Sequence, residues 1–336
     1  MKNKFLILTS SLLVVLSGHV FAAPESNGSG NSKADNIDVV ENWLSKMHQA
    51  AHTVNYQGIF VYGQKNNLSS MRIIHSADAN GERERLLSLD GTGREVIRSK
   101  NSVTCILPDS KSVTVEKNRP KSKFPPAFPV KVSELSRNYT FYLAGKETVA
   151  GHTAQKIIIE PKDQFRYGHA LWIDDKTGLL LKTHLMDETK QTIEKFMFTQ
   201  IDYMENIPEK LLKPSISGQN FTWYESGQDK KEEKNVSSSW RVKHLPSGFN
   251  ADMNRRHVMP RSGIAIEQLM YSDGLSSVSV FIEKHSNNND QITGDSQMGA
   301  INACGRGLEN NIHVTVVGEV TNATVKMMCD SVYQIK

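Results

Sequence analysis

His48 and His52 stand four residues apart, a spacing that sets two imidazoles on one helical face and could grip a zinc ion. A zinc centre needs at least a third protein ligand, and the sequence places none beside them. A solvent-side pair of histidines is the plainer reading. Cys105, Cys304 and Cys329 fall in no metal-type spacing. In an oxidising compartment one disulfide is open to them, with Cys304 and Cys329 the expected pair because both lie in the last segment. Three small buried side chains are the equal alternative. Gly91-Thr92-Gly93 has the composition of a phosphate loop, but it precedes a strand pattern and not a helix. The chain carries no Gly-x-Ser-x-Gly elbow, no His-Glu-x-x-His and no cysteine set by a recognised motif beside a base. These observations lead us to expect no enzyme, no cofactor and no metal site.

One further group of residues has chemistry to offer. Lys117, Arg119, Lys121 and Lys123 lie beside Phe124, Pro125, Pro126 and Phe128. Such a loop could meet an acidic or phosphorylated lipid head group; the plainer reading is a solvated crossover. The whole chain, 336 residues with a formal charge of +4, is too weakly basic to argue for nucleic acid. Its length suits two domains.

The chain opens with a secretory signal pattern over residues 1–22. Lys2 and Lys4 precede an apolar run from Phe5 to Leu16, and Val20-Phe21-Ala22 places cleavage before Ala23. The expected location is a bacterial periplasm. Residues 23–36 are small and polar and are expected to be a disordered lead. Asp38 then caps a helix whose apolar face is Val40, Trp43, Leu44, Met47 and Ala51.

A first domain over 37–224 reads as short strands separated by turn formers. They are Tyr56–Gly63, Met71–His75, Arg85–Leu89, Glu95–Arg98, Val103–Leu107 and Val113–Glu116, then Tyr139–Leu143, Thr148–Ala150 and Thr153–Glu160. Val132–Arg137 is a short helix between them. Arg166–Phe198 is a three-stranded meander, with Gly178 supplying a positive φ in its first turn. Several of these strands are apolar at both parities. Ile157, Ile158 and Ile159 are consecutive, as are Leu179, Leu180 and Leu181. Such strands need cover on both faces, because each buried side chain gains about 1.5–3 kcal/mol over exposure. Few helices are on offer, so a curved sheet around an apolar cavity would resolve the shortage. Close packing under the helices and the second domain is the alternative.

A polar, charged linker is expected at 225–239. In the second domain, 240–336, Trp240, Val242, Leu245 and Phe249 reopen a core, and Ser272-Asp273-Gly274 makes a tight turn between two strands. Two more strands flank Asn310-Asn311. A final helix, capped by Thr324 or Asn322, buries Val325, Met328, Cys329 and Val332. Asn287–Asp290 is expected to be a flexible loop.

In order and spacing, Tyr56–Gly63 (YQGIFVYG), Met71–His75 (MRIIH), Glu84–Arg98, Arg166–Trp172 (RYGHALW), Leu245–Phe249 (LPSGF), Tyr271–Glu283 and Val314–Val320 resemble the RseB/MucB family of regulators of the extracytoplasmic stress sigma factor. The resemblance implies an α+β fold: a large curved antiparallel sheet, half-barrel and similar to LolA/LolB lipoprotein carriers, with few helices, plus a small C-terminal α+β domain. It also implies partners. One is the periplasmic domain of a membrane-spanning anti-sigma factor of the RseA/MucA type, shielded from regulated proteolysis. The other is lipopolysaccharide or mislocalised lipoprotein lipid, which would release it. Phe60, Met71, Phe141, Trp172 and Phe196 are the expected lipid-cavity residues; Tyr271, Asp273, Leu275 and Arg306 are the expected partner contacts. A homo-oligomer stays open, as do a plain lipid carrier and, remotely, a periplasmic hydrolase.

Overall fold

The computed structural model describes residues 33–79, 81–117, 132–226, 233–234, 236–258, 265–284 and 293–335. The signal pattern, most of the polar lead, the Phe124 loop, much of the linker and the 287–290 loop lie outside these residues.

Helix α1 (Lys33–Thr53) is followed by β1 (Tyr56–Gln64), β2 (Asn67–Asp78), β3 (Gly81–Ser88), β4 (Glu95–Arg98), β5 (Ser102–Leu107) and β6 (Ser112–Lys117). Next come α2 (Val132–Leu135), β7 (Tyr139–Val149), β8 (His152–Pro161), β9 (Gly168–Asp174), β10 (Leu180–Met186), β11 (Thr192–Tyr203), α3 (Glu209–Leu212) and β12 (Thr222–Ser226). These strands form one 12-stranded sheet in the order β12-β6-β5-β4-β3-β2-β1-β11-β10-β9-β8-β7. Strands β7 and β11 sit four places apart, about 19 Å in a flat sheet. They nonetheless approach within 8 Å, and the rings of His152 and Tyr203 lie 5.2 Å apart. The sheet is therefore strongly curled.

The meander is present as read, and Gly178 has φ +83°. The double parity resolves into two packed clusters. Leu171, Ile173, Ile157, Ile159 and Leu180 join Val40, Leu44 and Met47 of α1 and Val132 and Leu135 of α2. Ala170, Trp172, Leu179 and Leu181 join a second cluster with Tyr56, Phe60, Ile73, Phe196 and Phe198.

Several expectations need correction. Helix α1 begins at Lys33, so residues 33–36 are helical and Asp38 lies inside the helix. Its buried face uses Ala50 and not Ala51, because the 3.6-residue period carries the stripe from Met47 to Ala50. Strand β7 runs unbroken to Val149, absorbing an irregularity between Leu143 and Lys146 that split it in the sequence pattern. The expected linker starts inside β12, which pairs in parallel with β6. The chain is led there by buried Glu95, which accepts hydrogen bonds from Arg85 Nε at 2.5 Å, Ser215 N at 3.1 Å and Ile216 N at 3.3 Å.

The second domain has β13 (Glu233–Lys234), β14 (Trp240–Val242), β15 (Asn250–Val258), β16 (Ala265–Ser272), β17 (Ser277–Lys284), β18 (Gly294–Met298), β19 (Ile301–Leu308), β20 (Ile312–Gly318), α4 (Asn322–Asp330) and β21 (Val332–Gln334). A seven-stranded sheet runs β13-β15-β16-β17-β20-β19-β18, and β14 pairs with β21. Its core joins Trp240, Val242 and Phe249 to Val278, Val280, Val316, Val325 and Met328. A disulfide ties Cys304 on β19 to Cys329 on α4. The cap of α4 is Thr321, with no side-chain cap bond. Thr324 is buried inside the helix, because its hydroxyl serves another element. The described chain ends in a strand and not in the helix.

Candidate functional site

The loop 162–167, between β8 and β9, meets the second domain at four successive residues. The Gln164 carbonyl accepts the Thr321 hydroxyl at 2.8 Å, and the Phe165 carbonyl accepts the Thr324 hydroxyl at 2.5 Å. Arg166 enters the joint itself. The Tyr167 hydroxyl accepts Asn302 Nδ2 at 2.8 Å.

Arg166 is fully buried. Its Nη2 donates to the Ser247 carbonyl at 2.6 Å, and Nη1 lies 3.3 Å from Asp273 Oδ2. Its Nε is 3.3 Å from Asp163 Oδ1. The guanidinium is sandwiched by the Tyr139 and Phe249 rings, at 5.4 and 5.3 Å, a cation–π arrangement favoured away from water. Asp273 is the acceptor of the β16–β17 turn, taking Leu275 N at 3.0 Å and Ser276 N at 2.7 Å through Oδ1. Its Oδ2 accepts the Tyr139 hydroxyl at 2.9 Å. Burial pushes the Tyr139 phenol well above its ordinary value, and the Asp273 charge adds to this. A buried charge requires such pairing. The fit is close: Gly248 has φ +83°, and a Cβ there would stand 2.0 Å from Asn138 Nδ2.

A second seam lies at the β18–β19 turn. Ala300 N donates to Glu194 Oε1 at 2.9 Å, which also accepts Gln64 Nε2 at 2.7 Å, while Tyr62 donates to Oε2 at 2.6 Å. Ala300 is buried against Tyr167 and Leu185.

Two clefts flank the loop. One, of about 400 Å³, has an apolar floor of Tyr142, Ile158, Pro161 and Met186. The other, of about 330 Å³, has walls from both domains, including Tyr167, Asp187, Glu188 and Ile193 on one side and Asp295, Asn302 and Thr321 on the other.

The expected residues distribute as follows. Phe60, Trp172 and Phe196 are buried in one cluster, with Met71 half-buried against it. Phe141 belongs to the other cluster, beneath α1 and α2. Trp172 also has polar company: its Nε1 donates to Glu147 Oε2 at 2.8 Å, and Lys182 and Lys156 ammoniums lie 4.0 and 4.9 Å from its ring centre. The Lys156 hydrogen bond, then the Trp172 one, holds the Glu147 carboxyl below its ordinary range. Tyr271 is buried, and its hydroxyl accepts Val242 N at 3.3 Å. Asp273 and Leu275 face the first domain, Leu275 against the helix-side cluster. Arg306 donates to the Val332 carbonyl at 3.2 Å. The structure therefore groups Asp273 with Arg166 and Tyr139, which sequence reasoning missed. The available signal was a cation heading the otherwise apolar run RYGHALW. His48 and His52 have ring centroids 5.0 Å apart, and His52 Nδ1 lies 2.5 Å from Glu82. Among the described residues no group of three His, Cys, Asp or Glu side chains could hold a metal.

A curled sheet with two apolar clusters, joined through buried polar contacts to a small α+β domain, defines a two-domain scaffold. The chain belongs to the MucB/RseB family: the MucB/RseB N-terminal domain model matches residues 39–216 and the C-terminal domain model residues 234–333. It is 33% identical over 332 residues to the sigma factor AlgU regulatory protein MucB of Pseudomonas aeruginosa, covering 96% of this chain and 97% of that one. It is 24% identical over 291 residues to the sigma-E factor regulatory protein RseB of Escherichia coli K12, covering 86% and 89%. The fold is similar to that of MucB solved in complex with the periplasmic part of MucA, with a TM-score of 0.67, 29% identity, and 88% and 98% of the two chains covered.

Proposed function

We propose that this protein is a periplasmic negative regulator of an envelope-stress sigma factor. It binds the periplasmic domain of a membrane-spanning anti-sigma factor and shields it from the protease that would start its destruction. The observation that carries this reading is the match of both domains, in order and nearly end to end, to MucB, a protein solved with MucA as its partner.

In the same reading, an acyl lipid of lipopolysaccharide or of a mislocalised lipoprotein enters the first domain beside Phe60, Met71, Trp172 and Phe196 and releases the partner. Release requires the lipid to favour the partner-free state, and linkage then makes each ligand weaken the other equally. The joint at Arg166 supports this, because β9, which carries Trp172, leads directly from the loop that grips the second domain. The test is retention of an anti-sigma periplasmic domain on immobilised protein, with elution by lipopolysaccharide fragments. Retention of lipoproteins in place of the anti-sigma domain would favour a lipid carrier.

A further inference from the structure

Strands β8, β9 and β10 set Lys156, Trp172 and Lys182 directly opposite one another. His184 follows two residues after Lys182, on the same face, and Lys195 of β11 is its direct partner. Ile157 and Leu171 alternate with these residues and join the cluster beneath α1 instead. Trp172 is buried under its neighbours. The Lys182 ammonium lies 4.0 Å from the centre of its ring, the Lys156 ammonium 4.9 Å and the His184 ring 4.9 Å.

The charges in this group do not balance. His184 feels three ammoniums, of Lys182, Lys195 and Lys156, against one carboxylate, of Glu147. That carboxylate is already engaged twice, accepting Trp172 Nε1 at 2.8 Å and Lys156 Nζ at 2.9 Å. Lys182 and Lys195 make no salt bridge or hydrogen bond among the described residues. Burial first, and then the ammoniums, push the His184 imidazole down to about 4. Burial also lowers the Lys182 ammonium, with Glu147 opposing. Like charges held this close to a buried ring repel one another, and an anion set among them removes that repulsion.

We propose that Lys156, Lys182, Lys195 and His184 form a receptor for one oxyanion of the phosphate-monoester class. Lysine binds such a group as a point charge, and an imidazole beside a bound anion regains its proton and adds a donor. Free phosphate and the head group of an alkyl phosphate share this chemistry. The second source is favoured by Ile158 and Met186, two residues along the strands from Lys156 and His184, which belong to the apolar floor of the 400 Å³ cleft. The assignment stands whether or not a lipid releases an anti-sigma partner.

The experiment uses the full mature chain and follows the histidine ring signals by NMR as pH is varied, with His184→Gln identifying the relevant one. Inorganic phosphate and hexyl phosphate should each raise the His184 midpoint by about one pH unit or more, and hexyltrimethylammonium should not. The double variant Lys182→Gln, Lys195→Gln should weaken anion binding at least about tenfold and raise the His184 midpoint before any anion is added. Its melting temperature should match the parent's, since Lys195 is exposed and Lys182 half-buried. Lys326→Gln, which removes an exposed lysine on α4, should bind as the parent does. Tighter binding of hexyl phosphate than of inorganic phosphate would assign the site to a head group, and equal affinity would assign it to the free ion. A His184 midpoint unmoved by either anion would overturn the proposal. So would equal binding by the parent and the double variant, which would be attraction to a basic chain at large.

Discussion

Replacing Asp273 by asparagine tests whether the Arg166 joint holds the two domains together. The substitution keeps the shape of the side chain and one oxygen for the Leu275 and Ser276 amides, but it removes the charge facing Arg166. At 3.3 Å the pair attraction is about 5 kcal/mol at an effective dielectric of 20. Much of that is offset by the cost of burying both groups, so the attraction is not itself the loss. The loss comes from stranding a buried cation, about 3–5 kcal/mol where nothing else compensates. Arg166 keeps the Ser247 carbonyl and, at 3.3 Å, Asp163, which brings the expected cost to about 2–4 kcal/mol. Arg166→Met should cost less, about 1–3 kcal/mol, because Asp273 retains three donors. The double variant should then be more stable than the sum of the singles predicts, by about 1–2 kcal/mol. Urea unfolding followed by tryptophan fluorescence measures all three. In the parent the domains should unfold in one transition, and in Asp273→Asn they should separate into two. Costs below about 0.5 kcal/mol for both single variants, with one transition kept, would show that the joint contributes no more than a surface ion pair.

Three other outcomes are expected. Gly178→Val should destabilise the first domain by about 2 kcal/mol or more, read as a lower melting temperature, since a Cβ at φ +83° would stand 2.6 Å from Lys46 Cγ and 3.0 Å from the Lys46 carbonyl oxygen. Burial pushes the Glu84 carboxyl up to about 7 from its ordinary 4.5, with Arg98 opposing. The folded state then holds the extra proton between those values, so stability should fall as pH rises through that window, by on the order of 3 kcal/mol, and Glu84→Gln should flatten the urea midpoint against pH. Phe141→Ser, which opens the cluster beneath α1 and α2, should mainly unfold the first domain, whereas Met71→Gln should leave melting nearly unchanged and blunt lipid-triggered release of the partner; release equal to the parent's would remove Met71 from the lipid site.

The strands of the first domain were legible because turn formers punctuate them and because period-two and continuous apolar runs both mean sheet. Gly178 was legible for the same local reason. The continuous runs also announced two buried faces, and the structure supplies them as two clusters. The parts that stayed hidden depend on residues far apart in the chain. Strand β12 carries Trp223 and Tyr224 exposed, so no apolar alternation marked it, and it is drawn to β6 by Glu95 from more than a hundred residues earlier. Strand β15 reads as a charged stretch, NADMNRRHV, because it lies near the edge of its sheet. Thr324 was taken for a cap because threonine at the start of a helix usually is one; its hydroxyl instead reaches the Phe165 carbonyl across the domain boundary.

The joint follows the same logic and carries a functional consequence. Arg166 is 107 residues from Asp273 and 81 from Ser247 in the chain, so no window of sequence could pair them. A polar linker over 225–239 would by itself leave the two domains without fixed mutual contacts. The contacts at Gln164, Phe165, Arg166 and Tyr167 say otherwise, because each satisfies a polar group that would cost about 1–3 kcal/mol if stranded. Opening the joint would expose Asp273, Tyr139 and Arg166 to water together, which softens that cost but removes the packing of Phe249 and Leu275. The domains are therefore held in one arrangement by many small terms that are lost as a group. In the proposed release mechanism, a joint of this kind would pass a change in the strands around Trp172 to the second domain as a discrete step and not as a gradual slackening.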